Sequence, residues 1–299
     1  MRHSEQVALI RRILGHMKAG TTDRGAVARS PVARYLLPER LAREQRMIRA
    51  LPAMICASSQ VARPGDWFTH DLSGVPIVIA RGQDGVLRAF INACRHRGAR
   101  VVDGVQGHCK GAMVCPFHGW VYHTDGTLRG PAMPTSFGEM DRSQFGMKPV
   151  QRETFHGVLF LRFQPGPQPS VKAILAPYDA DFAAYDLENV LPANLPDWGT
   201  TLPVNWKSVR DVDNEGYHVV MAHPGLQGLY GRNYRDLSLP EGLTVSIGYF
   251  GDAPGRLWSV RHYVNRSPQA PHLPPHPQKA WSYCGIFPNA VFAFTPQAI

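Results

Sequence analysis

The chain has 299 residues, 44% of them hydrophobic and 18% charged, which supplies enough apolar material for a packed core and excludes a disordered tail protein. Its formal charge is +9, with only six Lys among 32 basic residues; the Arg residues are scattered and form no run of five or more, so no nucleic-acid partner is expected. Five cysteines are too few, and odd in number, for a disulfide scaffold, and neither a signal-peptide core nor the roughly 18 apolar residues of a membrane span is found, so the expectation is a cytoplasmic protein with no membrane partner.

Residues 1–50 are rich in Arg, Ala and Leu. VALIRRIL and ERLAREQRMIRAL carry helical apolar spacing, and Gly20-Thr21-Thr22 and Ser30-Pro31 interrupt them, which predicts two short helices joined by a loop. Residues 51–165 read as all-β: DWFTHDL, PIVIARG, VLRAFINAC and GVLFLRF are short, rich in Val, Ile and Phe, and bounded by Gly, Asp and Pro. Gln83-Asp84-Gly85 is the expected hairpin turn between PIVIA and VLRAFI. PGPQPSV, residues 165–171, reads as a linker, and residues 166–299 as a second domain. There, NWKSVRDVDNEGYHVVMAH is expected to be helical up to Pro224. GLTVSIGYF and RLWSVRHYV are expected to be strands, and residues 266–278 an exposed loop. The fold class is α+β.

The first chemical signal is Cys94-Arg-His96, then 18 residues, then Cys115-Pro-Phe-His118-Gly-Trp120. Each half offers one thiolate and one imidazole. A Rieske centre needs two Cys on one iron and two His on the other, and the imidazoles raise its potential above that of all-Cys clusters. Structural zinc also uses two Cys and two His, but its fingers pair Cys with Cys and His with His, whereas the order here is mixed. Trp120 is expected to pack over the loops. Arg95 and Arg97 either tune the cluster, face a partner or are solvated. Cys109 lacks a His partner and is taken as a spectator, and Cys56 and Cys284 as buried apolar side chains. His108, His123 and His156 lack ligand spacing.

CRHRGA and CPFHGW resemble the Rieske domain of Rieske non-heme iron oxygenases, the large (alpha) subunits of ring-hydroxylating dioxygenases and quaternary-amine monooxygenases. The interval between the halves is slightly longer than usual in that family, with the extra length expected near Gly104 to Lys110. The resemblance implies a [2Fe–2S] cluster on Cys94, His96, Cys115 and His118, and a catalytic domain with a helix-grip-like antiparallel sheet.

Asn205-Trp206-Lys207, Asp211, Glu215-Gly-Tyr217-His218 and His223-Pro224 form the second signal. Two His and a carboxylate with open positions describe a mononuclear Fe(II) site for O2. On an ideal helix, positions five apart lie about 140° around the axis, so the helix should distort or end between His218 and His223. The segment resembles the family's catalytic helix. That likeness implies iron ligation by His218 and His223. Glu215 matches the bridging acid that links an iron-bound His to a Rieske His of a neighbouring subunit. Many ring-hydroxylating members carry Asp there, and members acting on quaternary amines such as carnitine carry Glu. Asp211 and Asp213 are acidic neighbours, and Asp211 is a further catalytic candidate.

In the family the third iron ligand is an Asp or Glu on a downstream C-terminal helix. The downstream carboxylates Asp236, Glu241 and Asp252 sit in no matching context, so the chain is expected to be C-terminally truncated, or to take that ligand from water, another chain or an unexpected acid. The implied function is a terminal oxygenase, fed with NAD(P)H electrons through a separate reductase or ferredoxin, that hydroxylates a small aromatic or quaternary-amine substrate with O2. A head-to-tail homotrimer, with or without a β subunit, is expected. The rival reading is a Rieske electron-transfer protein or an incompetent fragment.

Overall fold

The computed structural model describes residues 2–22, 27–71, 74–164, 166, 168–190, 199–250, 257–266, 270–275 and 277–297. The N-terminal segment forms three helices rather than two: α1 (His3–Ala19), α2 (Ala33–Leu36) and α3 (Pro38–Ala50). Gly20 ends α1 in the left-handed conformation, φ 62°, and Pro38 starts α3, where its missing N–H costs nothing. None of the three buries a residue.

The β-rich region carries β1 (Ala53–Ala57), β2 (Asp66–His70), β3 (Ile77–Arg81), β4 (Leu87–Ile91), β5 (Gln106–His108), β6 (Ala112–Val114), β7 (Val121–His123), β8 (Leu128–Gly130), β9 (Gln151–Phe155) and β10 (Val158–Arg162). They form three antiparallel sheets, ordered β4-β3-β2-β5, β6-β7-β8 and β1-β10-β9. The turn around Gly85 (φ 76°) closes β3 on β4, as the sequence predicts. The long interval between the Cys/His motifs is used for β5, which pairs Asp66 with His108 at the edge of β2.

The second region carries α4 (Val171–Leu175), α5 (Asp179–Tyr185), α6 (Trp206–Asp213), α7 (Val219–Ala222), α8 (Pro224–Tyr230), β11 (Tyr234–Ser238), β12 (Thr244–Tyr249), α9 (Trp258–Arg266), β13 (Ala280–Ile286) and β14 (Ala290–Phe294). Strands β11 to β14 form an antiparallel sheet in chain order. Two expectations are corrected here. RLWSVRHYV is mostly helix, because its apolar positions Val260 and Tyr263 are three apart and pack on α8 and Trp281. β-Branched and aromatic content alone had suggested a strand. Pro224 opens α8 instead of closing one long helix, which its fixed φ favours. Within 266–278, Leu273 is buried against the sheet; residues 267–269 and 276 lie outside the described residues.

Strand β10 joins the two regions, and all five of its residues are buried. Alternate side chains point to opposite faces of a strand. Leu159 and Leu161 enter a core with Ile77, Ile79 and Cys56, while Val158 and Phe160 enter another with Phe182, Val245 and Cys284. The boundary expected at 165/166 falls between β10 and α4. No helix among the described residues is long and apolar enough to cross a membrane.

Candidate metal centres

Cys94 lies on the loop after β4 and Cys115 on the loop after β6. The loops close alike. Cys94 N donates to Ala99 O at 2.7 Å and Gly98 N to Cys94 O at 2.9 Å; Cys115 N donates to Trp120 O at 2.8 Å and Gly119 N to Cys115 O at 3.0 Å. Gly98 (φ 76°) and Gly119 (φ 66°) both take the left-handed turn that this closure requires. Both thiols are buried, and their sulfurs face one another. The His96 and His118 rings meet edge to face at 4.7 Å, nearer the surface, where Phe117 is 62% exposed.

Two residues hold this cradle that spacing did not single out. Asn92 is 1% exposed. Its Oδ1 accepts Val101 N at 2.9 Å and Val102 N at 3.2 Å, and its Nδ2 donates to Val102 O at 2.9 Å, stapling the first loop. Tyr122 on β7 accepts Arg95 N at 2.9 Å and lies 3.3 Å from Cys94 Sγ. Its own hydroxyl hydrogen is therefore free to donate to the sulfur. Burial pushes the Cys94 thiol up and the Tyr122 hydrogen bond pulls it down. Trp120 stacks on His96 at 5.2 Å, within 4° of parallel, the packing role expected of it. Cys109 Sγ donates to Gly65 O, and Cys56 and Cys284 are buried.

The second centre is built by a broken helix. Asn205 caps α6 by accepting Lys207 N at 3.1 Å. The chain then leaves the helix at Asn214, and Asp236 on β11 holds the break: its Oδ2 accepts Gly216 N at 2.7 Å, and its Oδ1 accepts Ser246 Oγ at 2.7 Å. One helical turn, α7, separates His218 from His223, whose rings face at 5.1 Å and 77°. The helix ends at Ala222, between the two His as expected, and it is also broken before His218, with a further helix starting after His223. Glu215 Oε1 lies 2.8 Å from His218 Nδ1, and Glu215 Oε2 accepts His218 N at 3.2 Å. The first contact holds the Glu215 carboxyl below the usual range. A carboxylate at Nδ1 places the proton there and leaves Nε2 free for a metal.

His218, His223, Glu215 and Asp213 line one cavity of about 310 Å³ with Tyr230, Tyr234 and Tyr283. His223 also lines a second, more apolar one of about 410 Å³, with Leu229, Val260, Tyr263 and Trp281. Asp211 is not brought to either cavity: it points outward and accepts the Tyr35 hydroxyl at 2.5 Å. Asp213 lines the first cavity, and its Oδ2 accepts Arg210 Nη1 at 2.9 Å. Asp236 is engaged as described, Glu241 lies in a turn with φ 59°, and Asp252 lies outside the described residues.

The donor sets fit the two groups. The His96 Nδ1 atom is buried with no partner, as a nitrogen reserved for iron would be, and similar loops bring the two thiols to one another and the two imidazoles to one another. Among the described residues no three His, Cys, Asp or Glu side chains converge as a single-ion site. The donors come instead in pairs, two Cys, two His and two further His, and a Rieske cluster takes one pair per iron.

Fold and site together define a Rieske-domain protein with a ring-hydroxylating catalytic domain. Residues 52–143 match the Rieske [2Fe-2S] domain and residues 180–299 the ring hydroxylating alpha subunit (catalytic domain). The chain belongs to the Rieske oxygenase alpha-subunit family, whose members bind a Rieske [2Fe–2S] cluster and a mononuclear iron. It is 34% identical over 176 residues to the carnitine monooxygenase oxygenase subunit of Escherichia coli (strain K12), covering 57% of this chain and 45% of the relative. The naphthalene 1,2-dioxygenase large oxygenase component of Pseudomonas aeruginosa is 31% identical over 229 residues, covering 72% and 50%. The chain thus spans about half the length of these relatives. A solved quaternary ammonium Rieske monooxygenase bound to an inhibitor superposes with a TM-score of 0.73 at 25% identity, over 89% of this chain and 68% of that one.

Proposed function

We propose that this chain belongs to the terminal component of a cytoplasmic Rieske oxygenase, in which Cys94, His96, Cys115 and His118 hold the cluster and His218 and His223 hold iron. The observation that carries this reading is the His218–His223 pair, 5.1 Å apart on a cavity wall with Glu215 fixing the tautomer of one ring. When bound, the metals supply single-electron transfer and O2 activation; the protein supplies position, exclusion of water and proton placement. Tyr122 and Asn92 order the cluster loops, and Asp236 orders the break that lets both His rings face one cavity. The electron donor is a reductase or ferredoxin. The substrate class is a small quaternary amine before an aromatic, supported by Glu at position 215 and by the carnitine and glycine betaine relatives.

Two exposed apolar patches support a head-to-tail oligomer. One comprises Phe117, which packs on His118, with Val114 beside Cys115 and Met133 after β8; the other comprises Tyr217, 92% exposed, Val220 and Met221, which flank His218 in the chain. Patches of this kind mark interaction surfaces, and two different patches that fit one another close into a ring. Phe117→Asp is then expected to yield smaller assemblies that retain the cluster spectrum.

The test is iron content and substrate-dependent O2 uptake in the native chain and in His218→Ala. The expectation is one iron per chain beyond the two of the cluster, lost with uptake in the variant while the cluster spectrum persists. Equal iron and equal uptake would end the proposal. A second reading, an electron carrier without a competent mononuclear site, is favoured by one observation: neither Asp236 nor Glu241 lines the cavity of His218 and His223. Cluster reduction with no third iron and no uptake in the native chain would select it.

A further inference from the structure

A polar cleft of about 430 Å³ lies between β9, the β3–β4 hairpin and the segment after α5, and none of the candidate metal ligands lines it. It is lined by Arg81, Arg152, Ser58, Thr154, Asn189 and Glu188, among others. In sequence, Arg152 and Glu153 read as a neutral pair. The pleat separates them, because adjacent side chains on a strand point to opposite faces. Glu153 turns to the far face, where its Oε1 accepts Arg162 Nε at 2.7 Å and its Oε2 accepts Val171 N at 2.7 Å. Arg152 and Thr154 share the cleft face.

The positive charge of that face is only partly compensated. Arg81 spends its donors on carbonyls: Nε on Val61 O at 2.6 Å, Nη1 on Gly85 O at 3.0 Å and Nη2 on Ser58 O at 3.2 Å. Those bonds fix the guanidinium without neutralising it. Arg88, close by, is neutralised by Asp84 at 2.8 Å. Arg152 is half-buried, and its guanidinium has no hydrogen-bond or ion-pair partner among the described residues. Burial, then the neighbouring Arg88 and Arg81, hold its guanidinium below the usual value. Glu188, exposed at the cleft, is the one carboxylate in the lining among the described residues and balances one of the two cations. Charges removed from water ordinarily have partners, and a guanidinium with its donors unspent beside hydroxyl and amide donors suits a carboxylate or phosphate oxygen.

We infer that the Arg81–Arg152 cleft is a binding site for a small oxyanion, a carboxylate or phosphate group, with Arg152 as its charged contact and Thr154, Ser58 and Asn189 as neutral donors. The site is independent of the proposed oxygenase activity and of the metals.

The experiment is thermal unfolding of the cluster-loaded chain at constant ionic strength in sodium chloride, with phosphate or acetate replacing part of the chloride. An anion that binds only the folded state raises the Tm with a saturating concentration dependence. The expectation is a saturable rise with at least one of the two probes; which one acts distinguishes a phosphate from a carboxylate ligand. Arg152→Gln is expected to weaken the apparent affinity at least about tenfold, the loss of one charge-assisted hydrogen bond, and Arg152→Lys to keep part of it. In chloride alone Arg152→Gln is expected to melt no lower than the native chain, since it removes an unpaired charge. The inference is overturned by no saturable rise with either probe, by equal rises in the native chain and Arg152→Gln, or by an Arg152→Gln protein that melts well below native in chloride.

Discussion

The Tyr122 hydroxyl stands 3.3 Å from Cys94 Sγ while accepting the Arg95 amide at 2.9 Å. The amide occupies an oxygen lone pair and directs the hydroxyl hydrogen at the sulfur. A donor at a cluster sulfur stabilises the more negative, reduced state. Tyr122→Phe is therefore expected to lower the one-electron potential by about 40–60 mV, the equivalent of about 1–1.5 kcal/mol for one hydrogen bond. Redox titration of the cluster signal checks this; an unchanged potential would show that the hydroxyl does not reach the sulfur.

Asn92→Ala should be costly. The substitution strips partners from Val101 N, Val102 N and Val102 O inside a buried loop, and each buried orphan costs about 1–3 kcal/mol. The expected protein has less acid-labile sulfide and a lower Tm. Asn92→Asp keeps the acceptor and should recover part of the loss.

Glu215→Ala is expected to weaken iron binding at His218 by about 10- to 100-fold, because the ring loses its tautomer and orientation partner, with the cluster spectrum unchanged. Equilibrium iron titration followed by metal analysis reads this directly. Asp211→Ala, which removes only a Tyr35 contact remote from the cavity, is expected to leave that affinity as it is.

Glu44 ties the N-terminal helices to α6: its Oε2 accepts Lys207 Nζ at 2.5 Å and Trp206 Nε1 at 3.1 Å, and its Oε1 accepts Arg40 Nε at 2.9 Å. The Lys207 bond is the largest influence favouring the carboxylate, and the Glu44 pKa is lowered on folding. A depressed carboxyl contributes stability above its unfolded value, and loses it as pH falls through the folded one. Glu44→Gln should lower the Tm near neutral pH. The difference from the native chain should shrink as pH drops below the ordinary glutamate range. A difference that does not change with pH would assign the effect to packing.

The two matching Cys/His loops were legible because their constraint is local: a Cys, a His and a left-handed Gly within five residues build one closed loop, and the chain does it twice. Tyr122 and Asn92 lie close by in sequence, yet a buried Tyr after a Cys/His motif reads as ordinary core. Asp211 and Asp213 show the same limit. Two positions apart on a helix turn by about 200°, so one faces the N-terminal helices and the other the cavity, and spacing alone cannot say which. The helix of Trp258–Arg266 was missed because Val, Trp and Tyr favour strands by composition, and its contact with α8 overrode that preference.

By itself, then, the sequence determined which Cys and His are the candidate donors and the order of helical, Rieske and catalytic regions, since residue type and short spacing are properties of a few consecutive residues. Only the tertiary structure decided that Asp236, on a strand beyond α8, holds the break before His218, that β10 divides its side chains between two cores, and that Glu153 turns away from Arg152 to the opposite face of β9. Each of these depends on which face a side chain takes and what the rest of the fold packs against it.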